Sequence, residues 1–142
     1  MSTSTTELTG SCLCGSVKFK VAGEVAAMYH CHCQRCRKAN GTGHASNLRV
    51  KSSSILWLAG EKRIASYKVP DAERFRNDFC TNCGSPLPRA FAGFDFIIVP
   101  AGSLDCDIPD VAVSRIFNNS RAAWSCQDQL PTYDEYPPNL SL

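Results

Sequence analysis

The sequence predicts a single, mostly β domain of antiparallel sheets carrying one short helix, and three observations lead there. The chain has 142 residues, the length of one ordinary domain, enough to bury about two thirds of its unfolded surface. Short apolar runs recur at spacings of roughly ten residues, separated by Gly, Pro, Asn or Asp, the rhythm of a mostly antiparallel sheet. Only one stretch has a helical reading.

The first seven residues are polar, lack the basic start and apolar middle of an export signal, and read as a frayed lead-in to a domain over 8–133. Lys18 and Lys20 alternate with Val17, Phe19 and Val21, the period of two of a half-buried strand that starts after Gly15. Further strands are expected over Ala45–Val50, Ser54–Ala59, Ile64–Val69, Arg74–Phe79 and Phe94–Val99. The helix falls at Gln34–Asn40, closed by Gly41 and too short to be stable in water by itself. From Pro131 the chain carries Pro137, Pro138, Tyr133 and Tyr136, an extended segment packed by its aromatics, with 134–142 as a tail. Trp57 and Trp124 read as core or sheet-packing aromatics.

Composition removes several function classes. Hydrophobic residues make up 44% and charged residues 20%, which excludes a disordered chain, and no apolar run approaches the ~20 residues of a bilayer span. A cytoplasmic protein without a membrane partner is expected. Fifteen basic and 13 acidic side chains are interspersed to a net charge of +2, with a sequence pI of about 8.1, so nothing favours nucleic acid as a partner. Any anion site must be local.

Nine cysteines are the anomaly, and an odd count without an export signal points to thiolate and metal chemistry rather than a disulfide framework. Seven fall in three clusters: Cys12-Leu-Cys14-Gly15, Cys31-His-Cys33-Gln-Arg-Cys36, and Cys80-Thr-Asn-Cys83-Gly84. Residues i and i+2 of a strand face the same way, and a Cys-x-x-Cys turn also brings two sulfurs onto one ion. The glycines after Cys14 and Cys83 supply the positive φ such turns use. Cys12, Cys14, Cys80 and Cys83 thus form the closed four-thiolate set of structural zinc, the alternative being buried free thiols acting as small hydrophobes. Cys31, Cys33 and Cys36 leave a fourth tetrahedral position open to water or substrate, unless His30, His32 or His44 closes it. Cys33 and Cys36 sit at the start of the helix, which favours thiolate, and Arg35, Arg37 and Lys38 add positive charge that offsets the thiolates and attracts an anion. Cys106 and Cys126 have no partner at metal spacing and read as ordinary thiols.

The three clusters, written out as Gly-Ser-Cys-Leu-Cys-Gly, His-Cys-His-Cys-Gln-Arg-Cys-Arg-Lys and Phe-Cys-Thr-Asn-Cys-Gly, resemble the glutathione-dependent formaldehyde-activating enzyme family, which includes centromere protein V. The resemblance extends over about residues 8–133 through Gly41, Ala101-Gly-Ser-Leu-Asp105, Trp124 and Leu130-Pro131. It implies a zinc-stapled β domain of the β-tent type holding two Zn2+, with Cys12, Cys14, Cys80 and Cys83 on the structural ion and Cys31, Cys33 and Cys36 on the catalytic one. It further implies a carbon–sulfur lyase that reversibly joins a thiol such as glutathione to a small aldehyde, with Arg35, Arg37, Lys38 and Arg49 as candidates to hold the thiol's carboxylates. The sequence departs from the commoner family pattern at His44 and Arg115, two positions expected to face a substrate. The alternative is a non-catalytic zinc-binding interaction module of the same fold. A methionine sulfoxide reductase would need a catalytic thiol outside the metal clusters, and Cys126 lacks the surroundings for that role.

Overall fold

A computed structural model describes residues 5–52, 54–125 and 127–139. It contains nine strands among those residues: β1 (Thr6–Ser11), β2 (Lys18–Cys31), β3 (Ala45–Lys51), β4 (Leu56–Ala59), β5 (Ile64–Lys68), β6 (Arg76–Cys80), β7 (Arg89–Ala90), β8 (Phe96–Pro100) and β9 (Val113–Ile116). One helix, α1 (Gln34–Asn40), follows β2. The fold is mostly β and antiparallel, as the alternation and turn spacing predict.

The long β2 organises the molecule. Its first half pairs β1 and β4; its second half pairs β3 and, in parallel, β9. A register shift between Val25 and Ala27 marks the change, where an extra residue bends the strand. β3 passes the ladder on to β8 and β8 to β7, while β5 and β6 form a separate antiparallel pair that delivers Cys80.

Alternation decides what is buried. Phe19 and Val21 of β2, Leu48 and Val50 of β3, and Ile97 and Val99 of β8 are fully buried, and they meet Leu8, Val17 and Leu87 in the main core. Trp57 packs edge-on against Phe19, with ring centroids 6.1 Å apart, as expected of a sheet-packing aromatic. Asn47 of β3 and Ile98 of β8 alternate with these residues and turn to the opposite face of the sheet, where Tyr29, beyond the register shift in β2, joins them. A small second cluster forms there around Cys31, Cys36 and Ala45, with Phe75 and Ile116 against it.

One pairing among the described residues, β2 with β9, is parallel within the otherwise antiparallel arrangement expected, since the chain reaches β9 through a long connection rather than a hairpin. Other expectations are corrected. β1 starts at Thr6, inside the stretch read as a lead-in, since pairing with Lys18–Gly23 satisfies its backbone despite its polar side chains. Tyr133 and Tyr136 are 49% and 65% exposed, so the tail is not packed by its aromatics; Pro131, Pro137 and Pro138 deny it a ladder to dock through. Trp124 is 63% exposed rather than in a core. Cys126 lies outside the described residues.

Candidate metal centres and the adjoining cleft

Two loops of matching design build the first centre. Cys12-Leu-Cys14-Gly15-Ser16 follows β1, and Cys80-Thr-Asn-Cys83-Gly84-Ser85 follows β6. Each turns at a left-handed glycine, with φ of 78° at Gly15 and 77° at Gly84, which lets the Gly15 N–H donate to the Cys12 carbonyl and the Gly84 N–H to that of Cys80. The Leu13 N–H donates to Ser85 Oγ at 3.0 Å and ties one loop to the other. All four sulfurs lie within 4.8 Å of one another, with Cys12 and Cys14 Sγ 3.6 Å apart and Cys14 and Cys80 Sγ 4.0 Å apart. Zinc–sulfur bonds of about 2.3 Å in a tetrahedron place sulfurs about 3.8 Å apart, so the donor set fits a single ion. Hydrogen bonding to Ser16 first, and to Asn82, brings the Cys14 thiol down to about 5, and Ser85 brings Cys83 to about 7. Burial pushes Cys12 up. Cys14 and Cys83 are thus ionised readily, whereas Cys12 gains from a cation beside it.

The second centre sits where β2 ends and α1 begins. Cys31 is the last residue of β2, and Cys33 is the helix N-cap, its sulfur accepting the Cys36 N–H at 3.3 Å. Cys36 is one turn in, buried at 5% exposure, and the three sulfurs lie within 4.8 Å of one another. A hydrogen bond from Cys36 is the largest cause of the fall of Cys31 to about 6, and the same bond, with burial, pushes Cys36 far up. Among the described residues no fourth side chain joins this group. Strand alternation sets His30 and His32 apart from Cys31 and Cys33, and they meet His44 instead, His30 and His44 stacking at 4.2 Å.

These thiols open onto a cleft of about 460 Å³, within the usual range of small-molecule sites. Tyr29, Phe75, Ile98, Ile116 and Phe117 supply most of its wall, Asn47 and Gln34 add amides, and Arg35 and Arg89 add positive charge. Among the described residues no carboxylate lines it.

The four basic residues expected at a substrate divide. Arg35 lines the cleft, 3.4 Å from Asp71. Arg37 reaches the Ser120 carbonyl at 3.2 Å, Lys38 is exposed, and Arg49 stacks on Phe96 at 4.0 Å; none of the three lines the cleft. Arg115 pairs with Asp128 at 3.4 Å, and His44 lines a separate cavity of about 600 Å³ beside Cys12, Ser103 and Asp105, so neither faces the three thiols. Cys106 accepts the Thr9 N–H at 3.4 Å within the main core, an ordinary thiol.

Arg89 went unread in the sequence. It stands opposite Ile98 in the β7–β8 register, and burial pushes its guanidinium down while the Cys36 thiol and Asp78 favour its charge. Asp78 is itself held by Arg76, at 2.8 and 3.1 Å. No motif marks Arg89, since only strand register brings it to the cleft.

A sequence profile described as glutathione-dependent formaldehyde-activating enzyme matches residues 7–125. The chain belongs to that family. A Halomonas elongata protein provisionally named a glutathione-dependent formaldehyde-activating enzyme is 31% identical over 111 residues, which are 72% of this chain and 68% of that protein. A structural-genomics crystal structure of a Rhodobacter sphaeroides protein has the same fold, with a TM-score of 0.54 at 21% identity over 74% of this chain and 98% of that one. The matched residues 7–125 include all three cysteine clusters.

Proposed function

We propose that the protein is a zinc-dependent carbon–sulfur lyase that reversibly joins a glutathione-like thiol to a small aldehyde. The observation that carries this reading is the three-thiol cluster, which among the described residues has no fourth protein ligand and opens onto a cleft lined by two arginines and by no acid. The family description and the name of the Halomonas relative supply the substrate pair.

Cys31, Cys33 and Cys36 would hold the catalytic ion, and Cys12, Cys14, Cys80 and Cys83 a structural one; all-thiolate sets of this spacing suit zinc. Zinc bound at the three-thiol site supplies a Lewis acid for a thiol or a carbonyl oxygen. The chain's own residues do the rest. Arg35 and Arg89 receive the two carboxylates of glutathione by charge-assisted hydrogen bonds, which aims its sulfur at the cluster. The apolar wall excludes water and strengthens those contacts. As the reaction runs, the thiol loses its proton, sulfur bonds to the carbonyl carbon, and the carbonyl oxygen ends protonated as the hydroxyl of the adduct. In reverse the same carbon–sulfur bond breaks.

Among the described residues no helix is long and apolar enough to cross a membrane. We place the protein in the cytoplasm, where reducing conditions keep such thiols available for metal. Exchange spectroscopy of glutathione with formaldehyde tests the activity: adduct formation faster with the zinc-loaded protein than without it supports the lyase, and equal rates sink it.

A further inference from the structure

The cleft is built for more than glutathione and formaldehyde. Formaldehyde is a single carbonyl group and glutathione a polar tripeptide, and neither calls for a wall of Tyr29, Phe75, Ile98, Ile116 and Phe117 beside the reacting thiols. Phe117 adds an independent observation. Its φ of 53° makes it the single non-glycine residue with positive φ among those described, and bulky side chains adopt that conformation at a cost.

That strained backbone is held on both sides. The His32 N–H donates to the Ile116 carbonyl at 3.0 Å, the Ser120 N–H donates to that of Phe117 at 3.0 Å, and Arg37 grips the Ser120 carbonyl. The result is an aromatic ring that lines the cleft yet stays 63% exposed, an arrangement with no benefit to the core. Strain fixed by its surroundings at a ligand site is a mark of function.

We propose that the aldehyde this enzyme takes is larger than formaldehyde, one whose carbonyl bears a branched aliphatic or aromatic group that packs against Phe117, Phe75, Ile98 and Ile116. This rests on the lyase reading above. The step keeps its balance: sulfur bonds to the carbonyl carbon, the carbonyl π pair moves to oxygen, and oxygen takes a proton equivalent to the one the thiol gave up. Nothing is oxidised or reduced.

S-substituted glutathiones imitate the adduct without reacting, so calorimetry on the zinc-loaded protein reads the preference directly. S-benzylglutathione should bind about tenfold or more tightly than S-methylglutathione, since the ring leaves water for an apolar wall. Phe117→Ser should bring that ratio close to one, and Phe117→Leu should keep most of it, with circular dichroism confirming that both variants are folded. Glutathione is titrated alongside. If it binds while the benzyl and methyl derivatives bind equally, or if Phe117→Ser leaves the ratio intact, the larger aldehyde is overturned and the lyase reading stands. If glutathione itself does not bind, the reading beneath falls and takes this inference with it.

Discussion

At the scale of single residues, the cleft turns on a charge held where charge is costly. Arg89 has no carboxylate within ion-pair distance among the described residues, and Asp78, its nearest acid in electrostatic effect, is engaged by Arg76. A guanidinium so placed gains from an anionic ligand, and a hydrogen bond to a charged group contributes about 1.5–3 kcal/mol. Arg89→Gln should therefore weaken glutathione binding roughly tenfold or more by calorimetry, and Arg89→Lys should recover only part, because lysine lacks the planar fork that meets a carboxylate. The cysteine clusters were legible in the sequence because their chemistry lies in residue type and spacing. The arginines were not: each helix residue turns the side chain by about 100°, so Arg35 reaches the cleft while Arg37 and Lys38, next to Cys36 in sequence, do not. Arg89 and Phe75 reach it only through pairings between distant segments.

At the scale of elements, the seven-residue α1 is far shorter than a helix that stands in water, and its ends hold it. The Gly41 N–H donates to the Arg37 carbonyl at 2.8 Å from a left-handed φ of 66°, and the Asn40 side chain donates to the Cys36 carbonyl at 2.9 Å. Leaving glycine at such a φ costs about 1–2 kcal/mol. Gly41→Val should loosen the helix that carries Cys36 and speed zinc release from the second centre about tenfold, with the first centre unmoved, as followed by a chromophoric chelator. The helix was readable to its last residue because Gly41 punctuates it. The second half of β2 was not, since Ala22-Gly-Glu-Val-Ala-Ala-Met28 is rich in small residues and the register shift breaks the period of two. Nor were β7 and β9, short strands that exist through their partners more than through their own pattern.

At the scale of the whole molecule, the proposed function has the two cysteine clusters divide the labour of holding and reacting. The first ties the loop after β1 to the loop after β6, and structural zinc contributes about 10–16 kcal/mol, comparable with the whole stability of a domain. Cys83→Ser should therefore unfold or aggregate the protein, whereas Cys36→Ser should fold and retain about one zinc of the two expected per chain, by metal analysis beside a thermal melt. Equal loss of folding from both would merge the two roles. The central claim is that a substrate thiol completes the set of Cys31, Cys33 and Cys36, and cobalt(II) in place of zinc makes that coordination visible. Titrating the cobalt-loaded protein with glutathione should raise the sulfur-to-cobalt charge-transfer absorbance by the contribution of one added thiolate, and Cys36→Ser should abolish the change. An unchanged spectrum at millimolar glutathione would contradict the account and leave a zinc-binding interaction module in its place.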